Sequence, residues 1–405
     1  MVRVLLAVFA VVTGLLAGTL PARAGLTDRL NGSLVAIDRT IRFPDADVRT
    51  LLNAIIPGVS QQPTLDMLRI RYRTRDTGGQ LITVSGTIVL PRHLSGARPM
   101  ISIQHGTTYI KQPSATYRMV SDSGIGGVGY LDPLGFVLAG LGYVVLVPDY
   151  IGYGITSNLM HPYLIADSLG GTVADMIRAS RAVLARQNVR TDGKVFLAGY
   201  SEGGYATMAA QKVIEARYPD IRLTAVAPMA GPYDLATTAR RLIRSGVAYS
   251  RPEYLPFVIK AYLETYNLGG LDTVFRSAYV GPIRRFFAKN SSDEEGSSLF
   301  PQQIDRLFRA DALAAYQGNG QTELKRRIQE NTLLGWTPRA PMALFHCEGD
   351  DQVPVANATA AQQAFRRRGV AVELHTYPGG SHIDCVQAEL GAVEFFIRHG
   401  GLTLP

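Results

Sequence analysis

The amino-acid sequence predicts an α/β fold, a mostly parallel, doubly wound sheet with a helical segment inserted late in the chain. Three observations carry this. Short, continuous apolar runs bounded by glycine or proline recur, as strands buried on both faces require. Helical periods lie between these runs, and such alternation builds parallel sheets through crossover connections. Residues 231–340 break the alternation, with helical periods and no convincing strand.

The 405 residues are 46% hydrophobic and 18% charged, which provides for a large core and rules out wholesale disorder. Two cysteines exclude a disulfide-rich scaffold and any multi-cysteine zinc or iron–sulfur site. The formal charge of +8 comes from 41 basic and 33 acidic residues. The basic excess is mostly arginine in short clusters: Arg69/Arg71/Arg73/Arg75, Arg240/Arg241/Arg244 and Arg366/Arg367/Arg368. No recognition helix or RNA-binding motif accompanies them, so no nucleic-acid partner is expected. Contact between a positive surface and anionic lipid or cell envelope stays open.

The chain begins with an apparent export signal. Arg3 supplies a positive start, Val4–Leu20 is uncharged and apolar, and Pro21-Ala22-Arg23-Ala24 ends in a small-x-small pattern. This reads as a signal peptide over residues 1–24, cleaved near Ala24, with an uncleaved membrane anchor as the alternative. Cleavage removes Arg3 and Arg23 and leaves 39 basic against 33 acidic residues, a charge of +6. No later stretch approaches a membrane span, so a soluble, secreted or periplasmic protein is expected.

The elements follow in order. Residues 25–63 read as loop-rich, with a helical piece near Val48–Ile55. Residues 66–74 and 80–90 alternate with period two around the turn Asp76-Thr77-Gly78-Gly79, an antiparallel hairpin. Leu68, Ile70 and Tyr72 alternate with the first arginine cluster, which therefore reads as the solvent face of an edge strand. Central strands are expected at Met100–Gln104, Tyr143–Val147, Val195–Ala198, Thr224–Pro228, Met342–Phe345 and Val370–Leu374. Helices are expected around Leu169–Leu184 and over 202–217, 355–369 and 384–398. The arginine- and aromatic-rich segment 231–340 is too long for a loop and reads as a helical cap inserted into a core formed by residues 25–230 and 341–405.

Gly199-Tyr200-Ser201-Glu202-Gly203 fits G-x-S-x-G, after the apolar run Val195–Ala198 and at the start of a helix. In that context the glycines allow a sharp strand-to-helix turn that exposes the serine oxygen, and the helix N-terminus favours a developing oxyanion. Ser201 is thus the candidate nucleophile. It needs a base, and the base needs an orienting acid. His382, in the glycine-rich loop Pro378-Gly379-Gly380-Ser381-His382 before the last helix, is the candidate base, ahead of His346, His375 and His399. Asp350 and Asp351, with Glu348 behind them, compete as the acid in the loop after Met342–Phe345. The backbone N–H groups of Glu202 and Thr107 are the candidate oxyanion donors, and His105 reads as a structural loop residue.

Two other patterns carry less. Gly124–Gly129 satisfies G-x-G-x-x-G but follows no strand, so it reads as a mobile loop rather than a dinucleotide site. His346, Cys347, His382, Asp384 and Cys385 suggest a metal cluster. In an exported chain, however, two cysteines more often pair. Cys347 lies three residues before Asp350 and Cys385 three after His382, in loops this topology makes neighbours, so a Cys347–Cys385 disulfide is expected, with free buried thiols as the alternative. No metal is expected.

At this point the chain resembles the α/β-hydrolases, and among them the secretory lipase family, the Candida lipase A type and its bacterial relatives. The resemblance rests on Gly142–Tyr150 with Gly152-Tyr153-Gly154, on His161-Pro162-Tyr163, on Ala198–Gly204, on Asp350-x-x-Val353-Pro354 and on Gly380-Ser381-His382. It runs from about residue 60 to the C-terminus. It implies Asp350 as the acid, a helical cap before the acid-bearing strand, and hydrolysis of carboxylic esters, including acylglycerols, through an acyl-enzyme. It implies a small-molecule or lipid ester as substrate, needs no cofactor, and fits a monomer. An exported serine peptidase or an acyltransferase could use the same three residues, whereas a non-catalytic binding protein would ordinarily lack one of them.

Overall fold

The computed structural model describes residues 30–43, 64–111, 133–246 and 248–402. The expected signal peptide at 1–24, the helical piece near Val48–Ile55 and the glycine-rich stretch 124–129 lie outside the described residues.

Among the described residues nine strands, numbered in chain order from β1 (Leu34–Phe43), form one sheet in the order β1-β2-β3-β5-β4-β6-β7-β8-β9. Strands β2 (Leu65–Arg75) and β3 (Leu81–Pro91) form the expected hairpin, in unbroken register from Leu65↔Pro91 to Arg75↔Leu81. Its turn is closed by the Asp76 carboxylate, which accepts from the Gly78 and Gln80 amides at 2.9 and 2.8 Å. β4 (Arg98–Gln104), β5 (Val144–Pro148), β6 (Thr191–Tyr200), β7 (Ala225–Met229), β8 (Ala343–Cys347) and β9 (Glu373–Tyr377) pair in parallel.

Side chains that alternate along these strands feed two cores. On β6, Val195 and Leu197 join the apolar faces of α2 (Ala166–Arg186) and α3 (Glu202–Arg217). Phe196 and Ala198 point the other way, toward α1 (Pro133–Gly140) and α12 (Val386–Arg398). Helices on both faces are what strands apolar on both faces demand. Among the described residues no helix is long and apolar enough to cross a membrane.

Between β7 and β8 the chain runs through α4 (Leu235–Ser245), α5 (Tyr254–Tyr266), α6 (Ser277–Ala288), α7 (Asp293–Leu299), α8 (Ile304–Leu307), α9 (Ala310–Gln317) and α10 (Thr322–Glu330). Local chemistry sets their ends. The Asp234 carboxylate accepts the Thr237 amide at 3.1 Å as the N-cap of α4. Asn267 takes the left-handed conformation that ends α5.

Three expectations need correction. The loop-rich reading of 25–63 misses β1 (Leu34–Phe43), which pairs antiparallel with β2. Two register shifts, between Leu34 and Ala36 and between Ile37 and Arg39, break the period-two pattern by which a strand is recognised. Consequently β2 is not an edge strand, and one of its arginines, Arg71, pairs with Asp38 of β1 at 2.8 Å. The last strand is Glu373–Tyr377, not Val370–Leu374. As an edge strand open on one side it needs no apolar run, and Val372 is buried just ahead of it. No expectation covered α1, a helix without a polar face whose leucines and Phe136 are buried, because no helical period announces it.

Candidate active site

Ser201 sits at the junction of β6 and α3 with φ 60° and ψ −123°, a conformation a non-glycine residue holds only where its surroundings impose it. They do so through close packing. A Cβ on Gly203 would lie 2.0 Å from the Gln104 carbonyl oxygen, and one on Gly199 would lie 2.5 Å from the Gly203 oxygen. Neither position tolerates a side chain, so the turn stays tight. The Ser201 amide donates to the Met229 carbonyl at 3.0 Å, which fixes the serine above the end of β7.

His382 reaches Ser201 from the loop after β9. Its Nε2 lies 2.8 Å from the serine Oγ, and its Nδ1 lies 2.7 Å from Asp350 Oδ2. A carboxylate only accepts, so Nδ1 carries the hydrogen and the Nε2 lone pair faces the serine hydroxyl. The His382 carbonyl accepts from the Tyr200 hydroxyl at 2.8 Å, and its amide donates to Asp351 Oδ1 at 3.2 Å. Asp351 therefore holds the backbone of the histidine loop, while Asp350 meets the ring. Glu348 turns away and accepts from the Thr376 hydroxyl at 2.9 Å.

Asp350 is the most heavily bonded carboxylate of the site. Oδ1 accepts the amides of Gln352 and Val353 at 3.0 and 2.7 Å. Oδ2 is shared by His382 and His346, whose Nε2 approaches to 3.1 Å. Burial pushes the Asp350 carboxyl up, but hydrogen bonds from His346, His382 and the Val353 amide outweigh it and hold it well below the usual carboxylate range. His346, which the sequence ranks behind His382, is fully buried beneath Asp350. Its place four residues before Asp350 was the only sign in the sequence, and strand-end geometry had to supply the rest.

The Cys347–Cys385 disulfide is present, with a Cα–Cα distance of 5.8 Å. It joins the end of β8 to the start of α12 and so ties the Asp350 loop to the His382 loop. With both sulfurs in a disulfide, neither serves as a thiolate ligand.

On the other side of Ser201, Gly106 closes in, and a Cβ there would lie 3.8 Å from the serine Cβ. The Thr107 hydroxyl is within 2.8 Å of the Tyr163 hydroxyl. His105 is held structurally: its Nδ1 is 2.8 Å from the Gly106 carbonyl and its ring packs on Tyr150 at 4.2 Å. Glu202 opens α3, so its N–H belongs to the first turn, where amides have no intrahelical partner.

Two spaces meet at Ser201. One is an apolar cavity of about 140 Å³ running under α4, α5 and α10, lined by Leu235, Val258, Ile259, Leu324 and Ile328 among others. The second, of about 280 Å³, opens past His382, Thr107, Arg251, Tyr254, Asp293 and Gln352. Ser201 borders both, and His382 borders only the second.

A mostly parallel sheet with helices on both faces, a serine on a strained strand–helix turn, and an aspartate and a histidine on loops at the carboxyl ends of later strands define the α/β-hydrolase class. The fold agrees with solved structures. The rice cell wall degrading esterase LipA from Xanthomonas oryzae superposes with a TM-score of 0.77 at 26% identity, covering 91% of this chain and 96% of that one. Candida antarctica lipase A in its closed state has a TM-score of 0.67 at 15% identity over 91% of this chain and 81% of that one, a likeness of fold alone. The secretory lipase family model matches residues 136–393, and the chain belongs to that family. Lipase 10 of Candida albicans is 24% identical over 242 residues, covering 56% of this chain and 49% of that protein. Lipase 2 of the same yeast is 24% identical over 243 residues, with 56% and 48% covered. The chain thus spans about half the length of the curated relatives it matches.

Proposed function

We propose that this chain is a secreted serine carboxylic ester hydrolase, a lipase or esterase, working through Ser201, His382 and Asp350. The observation that carries this is the hydrogen-bond chain Ser201 Oγ–His382–Asp350, with steps of 2.8 and 2.7 Å, at the head of an apolar cavity. Ser201 attacks the ester carbonyl, and His382 takes its proton while Asp350 fixes the tautomer and balances the imidazolium. The Glu202 and Thr107 amides receive the oxyanion. His382 then protonates the leaving alcohol, and water, activated by the same histidine, releases the acid from the acyl-enzyme.

The two spaces orient the substrate. The leaving oxygen must lie beside His382, which borders only the open space, so the alcohol leaves there and the acyl chain enters the apolar cavity. Helices α4 to α10, within residues 231–340, act as the cap that supplies this cavity. Contact with a lipid surface is supported by Ile383, Val386 and Leu390, large apolar side chains that are 79%, 58% and 59% exposed. Two of them, Ile383 and Val386, stand at the rim of the opening.

The test is Ser201→Ala, assayed on p-nitrophenyl esters of increasing chain length and on emulsified triglyceride. Ester hydrolysis is expected to vanish while the fold persists, and residual turnover above about a thousandth of the parent would remove Ser201 from the nucleophile's role.

A further inference from the structure

His161-Pro162-Tyr163 lies outside the chain of reacting groups, yet it touches both sides of the oxyanion site. His161 Nε2 is 2.7 Å from Glu202 Oε1, on the residue whose amide follows the nucleophile. The Tyr163 hydroxyl is 2.8 Å from Thr107 Oγ1, on the residue that offers the other amide. Neighbouring tyrosines extend the same hold, with Tyr153 donating to the Thr108 carbonyl at 2.6 Å and Tyr150 to the His105 carbonyl at 3.2 Å.

The Glu202 side chain is buried against the apolar cavity, and its Oε2 has no hydrogen-bond partner among the described residues. A bare carboxylate there opposes the oxyanion that forms beside the same residue's amide. His161 answers this. Its Nδ1 lies 2.7 Å from the Ile151 carbonyl, which only accepts, so Nδ1 carries a hydrogen. At 2.7 Å, Nε2 and Oε1 cannot both present lone pairs, so one proton lies between them. Whether it belongs to nitrogen or to oxygen, the couple is neutral overall. The rings around His161 are Tyr150, Tyr153, Tyr163 and Phe257. Lys111 and Lys289 border a small neighbouring space with His161, but Lys111 donates to the Leu159 carbonyl at 2.7 Å and Lys289 pairs with Glu295 at 2.8 Å.

We propose that His161-Pro162-Tyr163 is the brace of the oxyanion site: Tyr163 sets the Thr107 side, and His161 sets the Glu202 side while cancelling the charge of its carboxylate. Both are positioning residues, and the inference rests on the ester-hydrolase reading of Ser201.

The test uses the full-length enzyme with p-nitrophenyl butyrate. His161→Phe is expected to lower kcat by about tenfold or more with Glu202 present, but by less than about threefold in a Glu202→Gln background, because no charge is then left to cancel. A purely structural role for His161 gives equal losses in both backgrounds and overturns the neutral couple. Should His161→Phe not fold, His161→Gln, which returns a donor without a positive charge, serves in the same comparison. Tyr163→Phe, which keeps the ring stacked on Phe257 at 4.2 Å, is expected to lower kcat by about three- to tenfold with KM within about twofold. Unchanged kcat overturns the brace. Continued ester hydrolysis by Ser201→Ala would sink the functional reading itself, whereas an inactive Ser201→Ala with no His161–Glu202 coupling sinks only the brace.

Discussion

Asp350 Oδ2 receives two histidines, and the one not facing Ser201 has its own consequence. His346 Nε2 sits 3.1 Å from Asp350 and 2.8 Å from the Val353 carbonyl, so it donates and holds the carboxylate toward His382. A hydrogen bond to a charged group contributes about 1.5–3 kcal/mol. If half or more of that reaches the transition state, His346→Phe lowers kcat roughly tenfold. Steady-state kinetics would check this, and unchanged kcat would show that the Val353 and Gln352 amides suffice. Another buried acid gives a pH dependence. Asp175, on α2, accepts from Thr74 Oγ1 at 2.7 Å and the Tyr218 hydroxyl at 3.0 Å. Burial raises its carboxyl from 3.8 to about 6, against the pull of those two donors. A raised carboxyl favours the fold only while protonated, so its stabilisation is complete below about pH 4 and is lost as pH rises through about 6. The loss amounts to roughly 3 kcal/mol. Asp175→Asn is thus expected to unfold at higher temperature than the parent at pH 8, with the gap closing toward pH 4. A gap that does not vary with pH would contradict this.

At the scale of elements, the site depends on three chain ends meeting: the turn from β6 into α3, the loop after β8 and the loop after β9. The Cys347–Cys385 link, with a sequence separation of 38, joins the last two. Closing a loop of that length stabilises by roughly 3–4 kcal/mol through the entropy of the unfolded chain. Replacing both cysteines with alanine is therefore expected to shift denaturant unfolding by about that amount. Activity should fall with it, because Asp350 and His382 stand on the freed loops. Full activity with lowered stability would mean that the hydrogen bonds alone keep the loops in register. Helices flanking the site were legible from their period, and most strands from their apolar runs. The bulged β1 and the polar edge strand β9 were not, because neither carries the pattern of its class.

For the whole molecule, the helices between β7 and β8 form the apolar cavity that ends at Ser201. Its walls bound the acyl chain in the proposed reaction, so filling them selects against length. Leu324→Trp on α10 is expected to lower kcat/KM for esters of about eight or more acyl carbons by about tenfold or more relative to acetate and butyrate esters. Equal losses at every chain length would place the acyl group elsewhere. The basic surface belongs to this scale too. Several of its arginines stand in ion pairs, such as Arg71–Asp38, Arg178–Asp220 and Arg217–Asp167.

Local pattern by itself determined the α/β class, the hairpin, the tight strand-to-helix turn around Ser201 and the loop context of His382, because these depend on short-range chemistry: apolar runs, glycines and turn residues. It placed Asp350 and Asp351 side by side without separating them on residue type alone. Only the tertiary structure decided that Asp350 meets the His382 ring while Asp351 holds its backbone, that His346 lies beneath the acid, that β1 covers β2, and that His161 reaches Glu202 across 41 positions of chain. Those are contacts between distant segments, set by how strands stack in the sheet and where their ends converge, and no periodicity along the chain encodes them.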